Sequence, residues 1–180
     1  MRILVANRGE IACRVFRTAR ALGHTSAAVF TAADAGALHT RSADVAVAIG
    51  SYLDGPELIA AALRVGADAI HPGYGFLSEN PDFASAVTDA GLLWIGPTPA
   101  SIRAMALKVQ AKALAEKAGV PLLTSGTDRF PVLVKASAGG GGKGMRRVDD
   151  PADLQEAVAA AKREAASAFG DDTVFIERYL

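Results

Sequence analysis

The sequence predicts an α/β protein: a doubly wound parallel sheet over roughly the first hundred residues, followed by a smaller unit of different winding. Three observations lead to this reading. From Arg2 to Ile95, short apolar runs alternate with segments of helical spacing, the pattern of βαβ units covered on both faces. The alternation stops at the turn Gly96-Pro97-Thr98-Pro99. Beyond it the order becomes helix, strand, glycine run, strand, helix, strand, which is not a second doubly wound unit.

The elements follow in order. Residues 2–6 (RILVA) form a short apolar run that ends at Asn7-Arg8-Gly9. From Glu10 the spacing turns helical, with Ile11, Val15, Thr18 and Leu22 on one stripe and Gly23 as the stop. Ala27-Ala28-Val29-Phe30 and Val45 to Ile49 read as strands with a loop or short helix between them. Asp54 caps a helix from Gly55 to Val65, and Glu57 is placed as its capping-box partner. A strand at Ala69-Ile70 runs into His71-Pro72-Gly73-Tyr74-Gly75. Asn80 caps the next helix with Pro81 at its first position, Gly91 closes it, and Leu92 to Ile95 is a fifth strand. After the turn, Ser101 to Ala118 reads as a helix broken near Lys108, with Ile102 and Met105 as core residues. Residues 120–130 are loop-like, and Val132 to Lys135 is a strand. Met145 to Val148 extends again and is expected to pair with that strand as a hairpin. An alanine-rich helix runs from Asp150-Pro151 to about Phe169, and the last strand covers Thr173 to Glu177. No strand follows it, so the second unit reads as cut within its fold.

Composition narrows the function. Lys plus Arg and Asp plus Glu are 19 each, so no basic field covers the chain and nucleic-acid coating is disfavoured. The single cysteine, Cys13, excludes an internal disulfide framework. No apolar run approaches the ~20 residues of a membrane helix, and no signal-peptide pattern precedes the first strand. A cytoplasmic protein with no membrane contact is the expectation.

The residues that could bear chemistry lie mainly in the second unit. Gly139 to Gly144 is glycine apart from Lys143, and Lys135 lies just before it. Backbone N–H groups in such a loop can turn toward phosphate oxygens. Gly139, Gly141 and Gly144 match G-x-G-x-x-G, but a strand rather than a helix follows, so dinucleotide binding fails on context. A Walker A loop fails because Ser137 stands at its first glycine and Gly144 follows Lys143. A glycine flap with a lysine at its base remains, or a bare hairpin tip. Lys108 could reach a phosphate or lie solvated. Glu177 and Arg178 alternate faces and by themselves read as edge-strand charges. In the first unit, Asn7-Arg8-Gly9-Glu10 stands where pyrophosphate would bind a doubly wound sheet, but it lacks the glycines, and Glu10 would repel phosphate. It reads as a structural turn. His71 lies at the ligand-bearing end of its strand, yet has no acid or metal partner at motif spacing and reads as structural. Cys13 reads as an ordinary thiol.

Taken together, ANRGEIA at 6–12, HPGYGFLSEN at 71–80, KAGVP at 117–121, VKASAGGGGKGM at 134–145 and VFIERYL at 174–180 resemble the biotin carboxylase family, in particular the biotin carboxylase (alpha) subunits of bacterial acyl-CoA carboxylases acting on acetyl-CoA or propionyl-CoA. The resemblance implies a doubly wound, Rossmann-like pre-ATP-grasp domain at 1–107 and part of the small, flap-bearing subdomain of an ATP-grasp fold at 108–180. It implies ATP-dependent activation of bicarbonate to carboxyphosphate and carboxylation of biotin on a carrier. By position, Lys108 and Lys135 would contact ATP phosphates. Gly139, Gly140, Gly141, Gly142 and Gly144 would form the closing flap, Met145 would lie by the base, and Glu177, Arg178 and Leu180 would form the adenine hinge. The Mg²⁺-binding glutamates, bicarbonate-binding arginine and general base are expected beyond residue 180, which makes the isolated chain catalytically incomplete. Implied partners are the biotin carboxyl carrier domain, a carboxyltransferase subunit and a second copy of the chain, through the helix that bears Arg17. The span from Leu122 to Phe130 is shorter than in relatives. An assembly module without catalysis, or another ATP-grasp ligase, is the alternative.

Overall fold

The computed structural model describes residues 1–122, 129–137 and 145–179 and divides the chain into two compact units, Met1–Ile102 and Arg103–Leu180. In the first, five strands pair in parallel in the order β3-β2-β1-β4-β5. They are β1 (Arg2–Val5), β2 (Thr25–Phe30), β3 (Val45–Ala48), β4 (Ala69–His71) and β5 (Leu93–Trp94). Between them run α1 (Gly9–Ala21), α2 (Leu38–Ser42), α3 (Gly55–Arg64) and α4 (Pro81–Asp89), and α5 (Pro99–Ala106) follows β5.

Strand alternation places the two cores. Ile3 and Val5 of β1, with Ala28 and Ala69, face α1. Leu4, with Ala27, Val29 and Ile70, faces the opposite layer built on Leu58, Phe83 and Val87 of α3 and α4. A strand buried on both faces needs a nearly continuous apolar run, and RILVA supplies one. The capping residues act as the sequence indicates. Asp54 accepts from Glu57 N at 2.9 Å, and Asn80 accepts from Asp82 N at 2.9 Å and Phe83 N at 3.0 Å. The expected reciprocal bond from Glu57 is not made. Its carboxylate accepts instead from Gly50 N and Ser51 N, tying the end of β3 to α3.

The expected apolar stripe of α1 is corrected. Ala12, Phe16 and Ala19 are buried against the sheet, whereas Ile11 and Val15 are half-buried and Leu22 is exposed. Ala12, Phe16 and Ala19 follow one another at helical spacing, with Phe16 packed on Val5 and Ala28 between the two alanines, and Ile11 and Val15 flank this stripe. Met105 is likewise exposed, while Ile102, three residues earlier, is buried as expected.

The order in which strands are added reverses between β1 and β4, all strands staying parallel, and at that point open α/β sheets leave a ligand crevice beyond the strand ends. Here the chain's own side chains fill that crevice. Asn7 Nδ2 donates to the carbonyls of Pro72 at 2.9 Å and Tyr74 at 2.7 Å, and Asn7 Oδ1 accepts from Arg8 N. Gly73 has φ +69, and a Cβ there would meet Asn7 Nδ2 at 2.6 Å. Tyr74 OH donates to Glu10, and His71 Nδ1 accepts from Gly73 N at 2.9 Å. Burial holds the His71 imidazole below its ordinary pKa and so favours the neutral ring that this bond needs. The histidine is structural here. Alongside, Arg8 Nε donates to Asp34 at 2.7 Å and Tyr52 OH donates to the same carboxylate at 2.8 Å. These bonds, that from Arg8 first, hold the Asp34 carboxyl at about 2.

Among the described residues the second unit holds a three-stranded antiparallel sheet in the order β7-β6-β8, made of β6 (Val132–Ala136), β7 (Arg146–Val148) and β8 (Val174–Arg178). The expected hairpin pairing of β6 with β7 is present. Val132, Val134 and Val148 pack with Ala161 of α7 (Leu154–Phe169). The helix before this sheet, α6 (Lys108–Lys117), is separated from α5 by Leu107, so the expected break falls one residue before Lys108.

Asn7→Asp is expected to destabilise the first unit by about 2 kcal/mol or more, because it turns a carboxylate toward two carbonyl oxygens. Urea unfolding followed by the single tryptophan, Trp94, reads this. An unchanged midpoint would refute the role given to Asn7.

Candidate functional site

The site is built on the face of the second sheet that does not meet α7. Because side chains alternate, Val132, Val134 and Ala136 point one way and Leu133 and Lys135 the other. Antiparallel register sets Leu133 opposite Glu177 and Lys135 opposite Phe175. Lys135 and Glu177 are therefore diagonal neighbours on one face, within reach of each other. Their ion pair forms: Lys135 Nζ donates to Glu177 Oε2. The other carboxylate oxygen, Oε1, accepts from Lys112 Nζ of α6 at 2.6 Å. The Lys112 ammonium also lies 5.3 Å from the centroid of the Phe175 ring.

Glu177 is 6% exposed. Burial by itself pushes its carboxyl pKa up, but hydrogen bonds from Lys112 and Lys135, with their charge, outweigh this and hold it below the usual range. The edge-strand charge read from the sequence is thus a buried carboxylate with two cations. Lys108 stands one turn before Lys112 on α6. Its backbone N–H and its Nζ both approach the Ser137 carbonyl, at 3.3 Å and 3.5 Å. Ser137 is buried and held by Thr173 through its N–H at 2.8 Å. Two lysines thus share the Glu177 carboxylate while Lys108, one turn before Lys112, lies at the Ser137 carbonyl, and lysines grouped in this way suit a polyanion.

The other sequence candidates fall in different places. Arg178 is exposed, on the opposite face of β8 from Glu177. Met145 is exposed just before β7. Gly139, Gly140, Gly141, Gly142, Gly144 and Leu180 lie outside the described residues. One contributor, Lys112, escaped the sequence reading. It carried a signal, as a second lysine four residues after Lys108. Arg147 pairs with Asp149 and lies 4.7 Å from the centroid of the Tyr179 ring, on the Glu177 face of the sheet. Cys13 is half-buried, its Sγ 3.9 Å from Ser42 Oγ. Among the described residues no three His, Cys, Asp or Glu side chains gather as a metal site, and no helix is long and apolar enough to cross a membrane.

Comparison with known proteins agrees with this architecture. Residues 1–102 match the family described as biotin carboxylase, N-terminal domain, and residues 102–180 match the carbamoyl-phosphate synthase L chain, ATP binding domain. The chain is 49% identical to the mitochondrial methylcrotonoyl-CoA carboxylase subunit alpha of Oryza sativa subsp. japonica, over 99% of this chain and 27% of that protein. It is 47% identical to the biotin-dependent acyl-coenzyme A carboxylase alpha3 subunit of Mycobacterium leprae, over 99% of this chain and 33% of that protein. Among solved structures, a biotin carboxylase–βγ-ATP complex from Campylobacter jejuni superposes with a TM-score of 0.92 at 40% identity, covering 99% of this chain and 45% of that one. The biotin carboxylase domain dimer of Hydrogenobacter thermophilus 2-oxoglutarate carboxylase, in complex with MgADP, ADP and bicarbonate, superposes with a TM-score of 0.89 at 39% identity, over 99% and 44% of the two chains. The chain spans 27% to 33% of the length of these two curated relatives. It belongs to the biotin carboxylase N-terminal domain family.

A carboxyl whose folded pKa lies below its unfolded value of about 4.3 stabilises the fold above that pH, and the contribution is lost as pH falls through the folded value. Thermal unfolding by circular dichroism between pH 3 and 7 is expected to show the Arg103–Leu180 unit losing stability on acidification. Glu177→Gln is expected to flatten that loss, and an unchanged acid profile in the variant would contradict the assignment.

Proposed function

We propose that this chain works as the N-terminal, ATP-binding part of a biotin carboxylase, in which ATP activates bicarbonate to carboxyphosphate and the carboxyl group passes to biotin on a carrier. The observation that carries the reading is the lysine–carboxylate cluster on the β6–β8 face, within the segment that matches an ATP-binding domain. Lys135 and Lys108 are the donors for nucleotide phosphates: each is a point charge on a regular element, so its backbone is in place before the ligand arrives and only the flexible stem turns. Among the described residues β8 pairs only with β6, which leaves one edge of backbone N–H and C=O groups for a planar base. On this reading Glu177, Arg178 and Leu180 form the adenine hinge, Met145 lies beside the base, and Gly139 to Gly144 close over the phosphates.

The wider reaction is proposed from the relatives. ATP, Mg²⁺ and bicarbonate are its small ligands, supported by the nucleotide, magnesium salt and bicarbonate in the solved biotin carboxylase. Among the described residues no three His, Cys, Asp or Glu side chains gather to hold the metal. A biotin carboxyl carrier domain and a carboxyltransferase are the partners expected of an alpha subunit, such as those of rice and Mycobacterium leprae. A second copy through the first unit is supported by the dimeric neighbour. An acyl-CoA carboxylase fits the identities best, and a cytoplasmic setting fits the single cysteine.

Isothermal titration with ATP tests the reading. Binding is expected, with Lys135→Met weakening it at least about tenfold, the loss of one charge-assisted hydrogen bond to phosphate. No ATP binding at millimolar concentration would overturn it.

A further inference from the structure

Glu177 holds both lysines that approach it, and this raises a conflict. A phosphate that recruits Lys135 must draw its ammonium away from Glu177 Oε2. Were Lys135 the sole partner of Glu177, the move would strand a carboxylate that is 6% exposed, and an unpaired buried charge is strongly unfavourable. Lys135 would then be held by its own side of the sheet, and the ligand would have to compete with that pair. Lys112 removes the conflict. It reaches Glu177 from α6 rather than from the sheet and takes the other oxygen, Oε1, at 2.6 Å, so the two lysines do not contend for one acceptor. Its ammonium has a second anchor at the Phe175 ring, 5.3 Å away, on the residue paired opposite Lys135. Both lysine side chains are 25% exposed, so each retains access to solvent and to an arriving anion.

We propose that Lys112 is a positioning residue for the nucleotide: by keeping Glu177 paired, it frees Lys135 to turn to the phosphates. It touches no reacting atom and acts through Glu177. The inference rests on the ATP-binding reading above and adds to it a division of labour between two lysines that share one carboxylate. It also gives Glu177 a defined part. The carboxylate stores Lys135 near its working position when no ligand is bound, and Lys112 sets how firmly it does so.

The test is titration of the 180-residue chain with ATP and, separately, with inorganic tripolyphosphate, which needs no adenine contact. Lys112→Met keeps an unbranched apolar side chain but lacks the ammonium that meets Glu177 and the Phe175 ring. It is expected to weaken binding of both ligands at least about fivefold, with the far-UV spectrum unchanged, and Lys112→Arg is expected to restore affinity to within about threefold of the parent. The decisive variant is Lys112→Met combined with Glu177→Gln. With no carboxylate to hold Lys135, it is expected to bind more tightly than Lys112→Met alone, a positive coupling that loss of structure does not produce. Equal affinity of Lys112→Met and the parent, or no recovery in the double variant, overturns the proposal and leaves ATP binding standing. A parent chain that takes up neither ATP nor tripolyphosphate overturns the ATP-binding reading and this proposal with it.

Discussion

A carboxylate cannot be taken out of water without a partner, and the second unit is organised around that constraint at Glu177. The strand period puts Glu177 on the face away from the valine core, and antiparallel register puts Lys135 diagonal to it. Helix α6 then brings Lys112 over the same face. Each oxygen of the carboxylate has its own cation, and this is how the side chain stays ionised while buried. The same arrangement concentrates lysine charge in one place, and a phosphate site needs that concentration. Stability and ligand binding therefore draw on the same groups, so a change at one of them is felt in both.

The first unit solves a different problem. An open parallel sheet leaves a crevice where its strand order reverses, and many α/β proteins place a ligand there. Here Asn7 spans the crevice to two carbonyls of the loop after β4, and Glu10 receives the Tyr74 hydroxyl. The two sequence motifs, ANRGE and HPGYG, are thus halves of one structural lock. This explains why the glycines of a dinucleotide fingerprint are missing: no pyrophosphate has to approach the backbone where a side-chain amide already sits.

Much of this was legible in the residues because it is local. Asp54 and Asn80 announce helix starts through bonds to residues two or three positions on, and the parallel sheet follows from runs such as RILVA. The contact face of α1 is rotated from the stripe the sequence indicates: Ala12, Phe16 and Ala19, rather than Ile11 and Val15, are buried against the sheet. The pairing of Lys112 with Glu177 joins residues 65 apart, and that of Asn7 with Tyr74 joins residues 67 apart. No local pattern encodes such distances, since they depend on strand register and on where α6 settles. The motif resemblance points to Lys135 and Glu177 but does not reveal that a third residue, Lys112, shares the same carboxylate.

The most direct test of the central claim is a crystal structure of the chain with a bound non-hydrolysable ATP analogue. Lys112 is expected still within hydrogen-bond distance of Glu177, with Lys135 turned to a phosphate oxygen and the base at the edge of β8 away from β6. Lys135 remaining on Glu177 with the phosphates elsewhere, or a nucleotide bound away from the β6–β8 face, would contradict that claim.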